Sequence, residues 1–259
     1  KETEKRIVVT TWQSIYKLHP IWFEDYGCIF GDEVHGFKSK SLSSIMNKSK
    51  NAEYRWGTTG TLDGTQVHKL VLEGLFGPVH RVTTTHELQE NDTLSKLSID
   101  IILLKYAEEY CKLTEGRSYQ DEIDFIVSYE KRNNFIANLA ISQTGNTLVL
   151  FNLVDRHGKV LRDIIEDKLK EGQKLFYVSG ETNTTDREHI RNIVDGHHNA
   201  IIVASLGTFS TGINIRNLHN IIFASPSKSQ IRVLQSIGRG LRKSDDGSDA
   251  KLFDIADDL

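Results

Sequence analysis

Two cysteines, Cys28 and Cys111, are all the chain has, and they stand in no C-x-x-C spacing. That argues against a disulfide scaffold or a thiolate metal cluster and fits the reduced thiols of a cytoplasmic protein. With 3 prolines in 259 residues and no Gly/Ser tract, no disordered linker is expected. No apolar run approaches the ~20 residues of a membrane span, and the charged stretch Lys-Glu-Thr-Glu-Lys-Arg at the start does not read as a signal peptide. Ten histidines are scattered; the one adjacent pair, His197-His198, lies in a polar turn without a nearby cysteine, which argues against a zinc site. A net charge of −3 supplies no global basic field. This counts against a protein that merely coats nucleic acid, but leaves room for a locally basic groove.

What is present is ordinary globular material, 38% hydrophobic and 26% charged. Short β-branched runs at residues 7–10, 28–30, 54–57, 99–104, 147–151, 174–178, 200–204 and 220–224 alternate with helical patterns at 41–47, 121–141, 156–169, 185–194 and 229–237. Several of the strand runs are apolar on consecutive residues, as in strands covered on both faces. Strand–helix alternation predicts an α/β fold with parallel sheets and right-handed crossovers. The composition turns polar between Tyr106 and Asp121, so two domains are expected, 1–112 and 113–259. In such sheets, ligands bind beyond the carboxyl ends of the strands.

The chemistry-bearing residues sit at such ends. Asp32-Glu33-Val34-His35 follows the apolar run Cys28-Ile29-Phe30. Two adjacent carboxylates at a strand tip suit a magnesium ion, on Asp32, and a hydrolytic water, on Glu33. The blander reading is a solvated acidic loop. In the block Gln235 to Arg242, a capping box at Ser227–Gln230 opens a helix whose Gln235, Arg239 and Arg242 share a face away from the stripe Ile231, Leu234, Ile237 and Leu241. Arginines there suit the charge of a transferred phosphoryl group; the alternative is a solvated basic face. Gly238 and Gly240 each cost a helix interior ~1 kcal/mol relative to Ala, so either something approaches closely or the helix ends. Thr58-Thr59-Gly60-Thr61 and Ser205 through Gly212-Ile213-Asn214 are weaker signals, hydroxyl-rich or glycine-containing turns after strands. Thr10-Thr11 either contacts a nucleic-acid phosphate or caps a helix starting at Trp12. Trp12, Trp22 and Trp56 are expected in the core, and the Lys/Ser-rich segment 38–50 as a solvated helix face.

Taken in order, Val9 to Ser14, Asp32 to His35, Gly57 to Leu62, Ala204-Ser205 through Gly212-Ile213, and Gln235 to Arg242 resemble the motifs of superfamily-2 DNA helicases, with particular similarity to those of T-even-type bacteriophages. The resemblance covers essentially the whole chain. It implies two RecA-like parallel-sheet lobes, the first only partly present, and ATP- and Mg2+-dependent movement on single-stranded or branched DNA, with recombination proteins as candidate partners in the host cytoplasm. By resemblance, Asp32 and Glu33 serve magnesium and water, His35 couples the lobes, and Thr59 and Thr61 link hydrolysis to movement. Gly212 and Asn214 approach the nucleotide, although Asn214 replaces the aspartate of many relatives. Gln235, Arg239 and Arg242 contact its phosphates, and Thr10, Thr11 and Ser205 touch nucleic acid. One departure is large: no G-x-x-x-x-G-K-[ST] occurs, so the amides and lysine that cradle β- and γ-phosphates are missing. The expectation is a portion of a longer helicase that hydrolyses ATP poorly by itself. The alternative is a non-catalytic DNA-binding or regulatory module on a helicase-like fold.

Overall fold

The computed structural model describes residues 6–60, 66–91, 93–212, 215, 217–226, 237–238, 247 and 249–259. The chain divides into two compact units, Lys1–Val82 and Thr83–Leu259.

The first unit contains helices α1 (Trp12–Ile15), α2 (Lys40–Lys48) and α3 (Gln66–Phe76) and strands β1 (Cys28–Gly31) and β2 (Tyr54–Gly57). The two strands pair in parallel, with Cys28 opposite Tyr54 and Gly31 opposite Gly57. Their inner face rests on a core of Phe23, Val34, Phe37, Leu42, Ile45, Met46 and Leu72. Helix α2 contributes Leu42, Ile45 and Met46, at the three- and four-residue spacing of one helical face. Its Lys48 ammonium donates to the carbonyls of Tyr16 and Leu18, at 2.7 and 2.9 Å, and ties the helix to the chain after α1. The other sheet face, with Phe30, Tyr54 and Trp56, is exposed. Trp56 and Trp12 are therefore not core residues as expected; only Trp22 packs against the core. Residues 7–10 form no strand either, and Ile7 and Val9 are exposed: a β-branched run without a pairing neighbour does not make a strand.

The second unit holds α4 (Thr85–Glu90), β3 (Leu97–Lys105), α5 (Glu108–Thr114), α6 (Tyr119–Ser128), α7 (Glu130–Ser142), β4 (Thr147–Phe151), α8 (Lys159–Glu166), β5 (Lys174–Val178), α9 (Thr184–Asp195), β6 (Ala200–Ser205), α10 (Leu206–Gly212), β7 (Asn220–Phe223) and β8 (Ala250–Asp258). Its six strands form one parallel sheet in the order β3-β8-β7-β4-β6-β5. Alternate residues of the fully buried β4 feed two cores. Leu148 and Leu150 join Val194 of α9 and Phe209 of α10. Val149 and Phe151 join Ile136 and Ala140 of α7 and Leu161 and Ile165 of α8. At the amino edge, the buried Asn146 amide donates to the carbonyls of Val194, His197 and Asn217 and accepts from the Ala200 N–H.

Compactness divides the chain earlier than the shift in composition between residues 106 and 121 suggests. Strand β3 lies inside the 1–112 segment, yet it hydrogen-bonds along its whole length to β8 and so belongs to the second sheet. The long helix expected over 121–141 is two helices. Tyr129, with extended φ/ψ, breaks it and stacks among Tyr106, Tyr110 and Phe125.

Candidate functional site

In the first unit the acidic motif and the threonine turn meet because β1 and β2 are parallel neighbours, so both carboxyl ends emerge side by side. Glycines close the two strands. A Cβ at Gly31 or at Gly57 would lie 2.9 Å from Val34 Cγ1 and within 3.3 Å of the Phe76 ring. Their absence of side chain lets Val34 drop into the core and turns the chain sharply at Asp32-Glu33. The Val34 N–H donates to the Thr58 carbonyl at 3.0 Å, and the Thr58 N–H to the Gly31 carbonyl at 2.9 Å.

Glu33 takes φ 51°, the one positive φ among described non-glycine residues. Such a conformation costs of order 1–3 kcal/mol and persists only where its surroundings enforce it. Here the Glu33 N–H donates to Asp32 Oδ1 at 2.9 Å, and the Thr58 hydroxyl donates to the same oxygen at 3.1 Å. Among the described residues Asp32 Oδ2 makes no hydrogen bond, and both carboxylates face solvent. His35 Nδ1 lies 3.1 Å from Thr59 Oγ1 and 3.1 Å from Glu33 Oε2. One ring nitrogen therefore bridges the acidic motif and the threonine turn. Thr10 and Thr11 stand apart from this cluster in contact terms: Thr11 occupies the N-cap position of α1, and its hydroxyl pairs with that of Ser14 at 3.0 Å.

No group of three or more His, Cys, Asp or Glu able to hold a metal occurs among the described residues. Asp32 and Glu33 alone suit magnesium, a hard cation that keeps most of its water and takes one or two carboxylates plus phosphate oxygens.

In the second unit, Ser205 ends β6 at the carboxyl edge of the sheet. Its hydroxyl donates to Thr208 Oγ1 at 2.7 Å and accepts the Thr208 N–H at 3.3 Å, so it serves the first turn of α10. Gly212 ends that helix. Thr61, Asn214, Gln235, Arg239 and Arg242 lie outside the described residues, as does most of the helix expected at 229–237. Ile237 packs against the core, as its place in the apolar stripe requires. Among the described residues, its chain neighbours aside, nothing lies within 4 Å of a Cβ placed on Gly238.

Sequence reasoning missed a buried polar group at the same carboxyl edge. Asn152 follows β4, His157 lies in a single π turn at Val154–Gly158, and Ser225 follows β7. Residue type offered little signal, since His157-Gly158 follows β4 only after the mixed stretch 152–156.

Residues 130–244 match the helicase conserved C-terminal domain. Over 97% of its length the chain is 38% identical to the ATP-dependent DNA helicase uvsW of Enterobacteria phage T4, of which it spans 50%, about half that relative's length. The crystal structure of T4 UvsW superposes on 95% of the chain and 48% of its own, at 36% identity and a TM-score of 0.55. The type ISP restriction-modification enzyme LlaBIII, solved bound to DNA, shares the fold at 16% identity and a TM-score of 0.58, over 88% of this chain and 18% of its own. Residues 130–244 thus carry a helicase C-terminal domain, and similarity to a phage DNA helicase runs along nearly all of the chain.

Proposed function

We propose that the chain works in an ATP-driven DNA helicase or translocase that acts on branched DNA, in unwinding, branch migration and the repair of forks by recombination. The observation that carries this reading is the bridge at the acidic tip, where His35 Nδ1 stands 3.1 Å from both Glu33 and Thr59. Asp32 would hold Mg2+, and the ion would supply charge neutralisation of the phosphates when bound. Glu33 orients the attacking water and accepts its proton. That proton removes the charge with which Glu33 attracts the His35 ring. The loss shifts His35 toward Thr59 and so passes the event to the threonine turn, Thr59 and Thr61. Gly212 and Asn214 approach the nucleotide. Gln235, Arg239 and Arg242 stabilise the phosphoryl charge, which arginine does in a bidentate way that lysine cannot. Thr10, Thr11 and Ser205 contact nucleic acid. Binding is salt-dependent because phosphates dominate it. The DNA helicase name of the phage relative and the DNA-bound restriction enzyme support a nucleic-acid partner. No described helix is long and apolar enough to cross a membrane; the host cytoplasm is the proposed compartment.

The test is DNA-stimulated ATP turnover by the full-length protein. Glu33→Gln removes the base and lowers kcat by about 100-fold or more with KM for ATP nearly unchanged. Arg242→Ala lowers it by about 1,000-fold. Wild-type turnover in both variants removes the site assignment. The 259-residue chain by itself turns over ATP slowly or not at all, since it contains no glycine-lysine phosphate loop. That same absence favours the second reading, a non-catalytic DNA-binding module. It requires DNA affinity by the full-length protein that is indifferent to ATP and to both substitutions.

A further inference from the structure

Three consecutive residues leave β7 under an unusual degree of restraint. The Ala224 N–H extends the ladder to the Leu150 carbonyl at 2.9 Å, and the Ala224 carbonyl accepts from Arg132 Nη1 at 2.7 Å. Ser225 Oγ accepts the Asn152 N–H at 3.2 Å and lies 2.8 Å from His157 Nδ1. The Pro226 carbonyl accepts from the Asn152 side-chain amide at 2.8 Å. A connection leaving a sheet has no intrinsic need for buried polar groups, which cost stability unless fully paired. Yet His157 is 0% exposed and its Nε2 has no partner among the described residues.

The local backbone is shaped to deliver this histidine. The N–H groups of His157 and Gly158 both donate to the Leu153 carbonyl, the signature of a π turn, a rare widening often found at functional sites. Gly158 permits it: a Cβ there would lie 2.4 Å from the Phe151 ring. Ser225 Oγ has one proton and two acceptor sites, so it accepts from Asn152 and shares one further hydrogen bond with His157 Nδ1, in either tautomer of the ring. Burial holds the imidazole pKa down to about 3, with the Arg132 charge adding to the effect. The ring therefore stays neutral through the pH range of an ordinary assay.

Ala224-Ser225-Pro226 immediately precedes, in sequence, the segment that carries Gln235, Arg239 and Arg242. We propose that Asn152, His157 and Ser225 are positioning residues for those arginines: they fix the peptide from which the arginine segment departs, and so set where the guanidinium groups act. This inference rests on the phosphoryl role proposed above for Arg239 and Arg242. A displacement passed on to a charged group is costly, since misplacing such a group by about 1 Å lowers rates by about 100-fold.

The experiment uses the full-length protein with Ser225→Ala and His157→Leu as disruptive variants and Ser225→Thr and His157→Asn as conservative ones, the asparagine oxygen standing in for Nδ1. Four quantities are read: kcat and KM for DNA-stimulated ATP hydrolysis, affinity for ADP, affinity for ADP–aluminium fluoride, and the urea midpoint. The disruptive pair should lower kcat by about 10- to 100-fold and weaken ADP–aluminium fluoride comparably, because the mimic of the transferred phosphoryl needs the arginines. KM and ADP affinity should stay near wild type while the urea midpoint falls only as far as one stranded buried partner requires, and the conservative pair should restore turnover. Undiminished kcat in the disruptive pair, with Arg242→Ala inactive, overturns the clamp and leaves the proposed function standing. A loss of ADP affinity equal to that for ADP–aluminium fluoride, or no rescue, reduces the cluster to structural support and also overturns it. If Arg242→Ala itself turns over ATP normally, the parent reading fails first, and the clamp with it.

Discussion

Glu33 and His157 show two ways in which one residue is held against its own preference. Glu33 sits at positive φ on an exposed turn, where two donors on Asp32 Oδ1 and a backbone bond from Val34 to Thr58 enforce the strain. His157 is held neutral by burial, with a pKa near 3 against an ordinary 6.5. Its folded pKa is depressed, so the unfolded chain binds its proton more readily below pH 6.5. Stability is then fully present above about pH 6.5 and is lost as the pH falls toward 3. The slope is at most ~1.4 kcal/mol per pH unit over that window. Urea unfolding at pH 7 and pH 5 should therefore show a loss on the order of 2 kcal/mol that His157→Asn largely abolishes. An equal loss in the variant would assign the acid sensitivity to other groups. Neither strain nor burial can be read from residue type. Asp32-Glu33 announced itself by two adjacent carboxylates after an apolar run, whereas His157 looked like any histidine in a polar stretch.

Elements were legible where one interaction dominated. Strands β2, β4 and β5 fall at the runs 54–57, 147–151 and 174–178, because a short, largely β-branched or aromatic run between polar turns has no better solution than a strand. Strand β8 was invisible: Asp254, Asp257 and Asp258 interrupt its apolar pattern, Asp254 and Asp258 on the exposed side and Asp257 for a reason that lies elsewhere in the fold. Asp257 is the clearest case. Its carboxylate takes both Nε and Nη2 of Arg132, at 2.7 and 2.9 Å, and the Tyr106 hydroxyl at 2.6 Å, all out of water. Burial, then the hydrogen bond to Asp257, raises the Tyr106 pKa well above its ordinary value, so the phenol remains a donor. Arg132 lies on the buried stripe of α7 with Ile136 and Ala140, so this ion pair fastens α7 to the end of β8. Arg132→Met should cost about 3–5 kcal/mol by stranding a buried carboxylate. Arg132→Met with Asp257→Leu should recover much of that loss, since a dry apolar pair of similar volume needs no charge compensation. Urea midpoints of the single and double variants decide it: additive losses would mean that Arg132 and Asp257 contribute independently and are not coupled as a pair.

The whole molecule consists of two units of unequal means. The second has a six-stranded sheet with apolar cores on both faces, fed by the consecutive buried residues of β4, β6 and β7. The first has two strands, one small core, and an outer face on which Phe30 and Trp56 remain 67% and 63% exposed. Two-stranded sheets are marginal unless a helix layer supports them, and here only one face has it. The lower stability therefore belongs to Lys1–Val82, and the chain should not unfold in one step. The residues themselves provide the assay. Trp12, Trp22 and Trp56 are the 3 tryptophans of the chain, and all lie in the first unit. Trp22 packs edge-on against Phe23 at 5.0 Å, so its emission reports whether that core is intact. Far-UV circular dichroism is dominated instead by the second unit, where α6, α7 and α9 hold more helical residues than α2 and α3 do in the first. Urea titration of the 259-residue chain should then show tryptophan emission changing at lower denaturant than the helical signal. A Trp22→Phe variant should shrink the early transition and leave the later one in place. Superimposable curves from the two probes would mean that the units unfold as one cooperative body, and would overturn the assignment of the lower stability to Lys1–Val82.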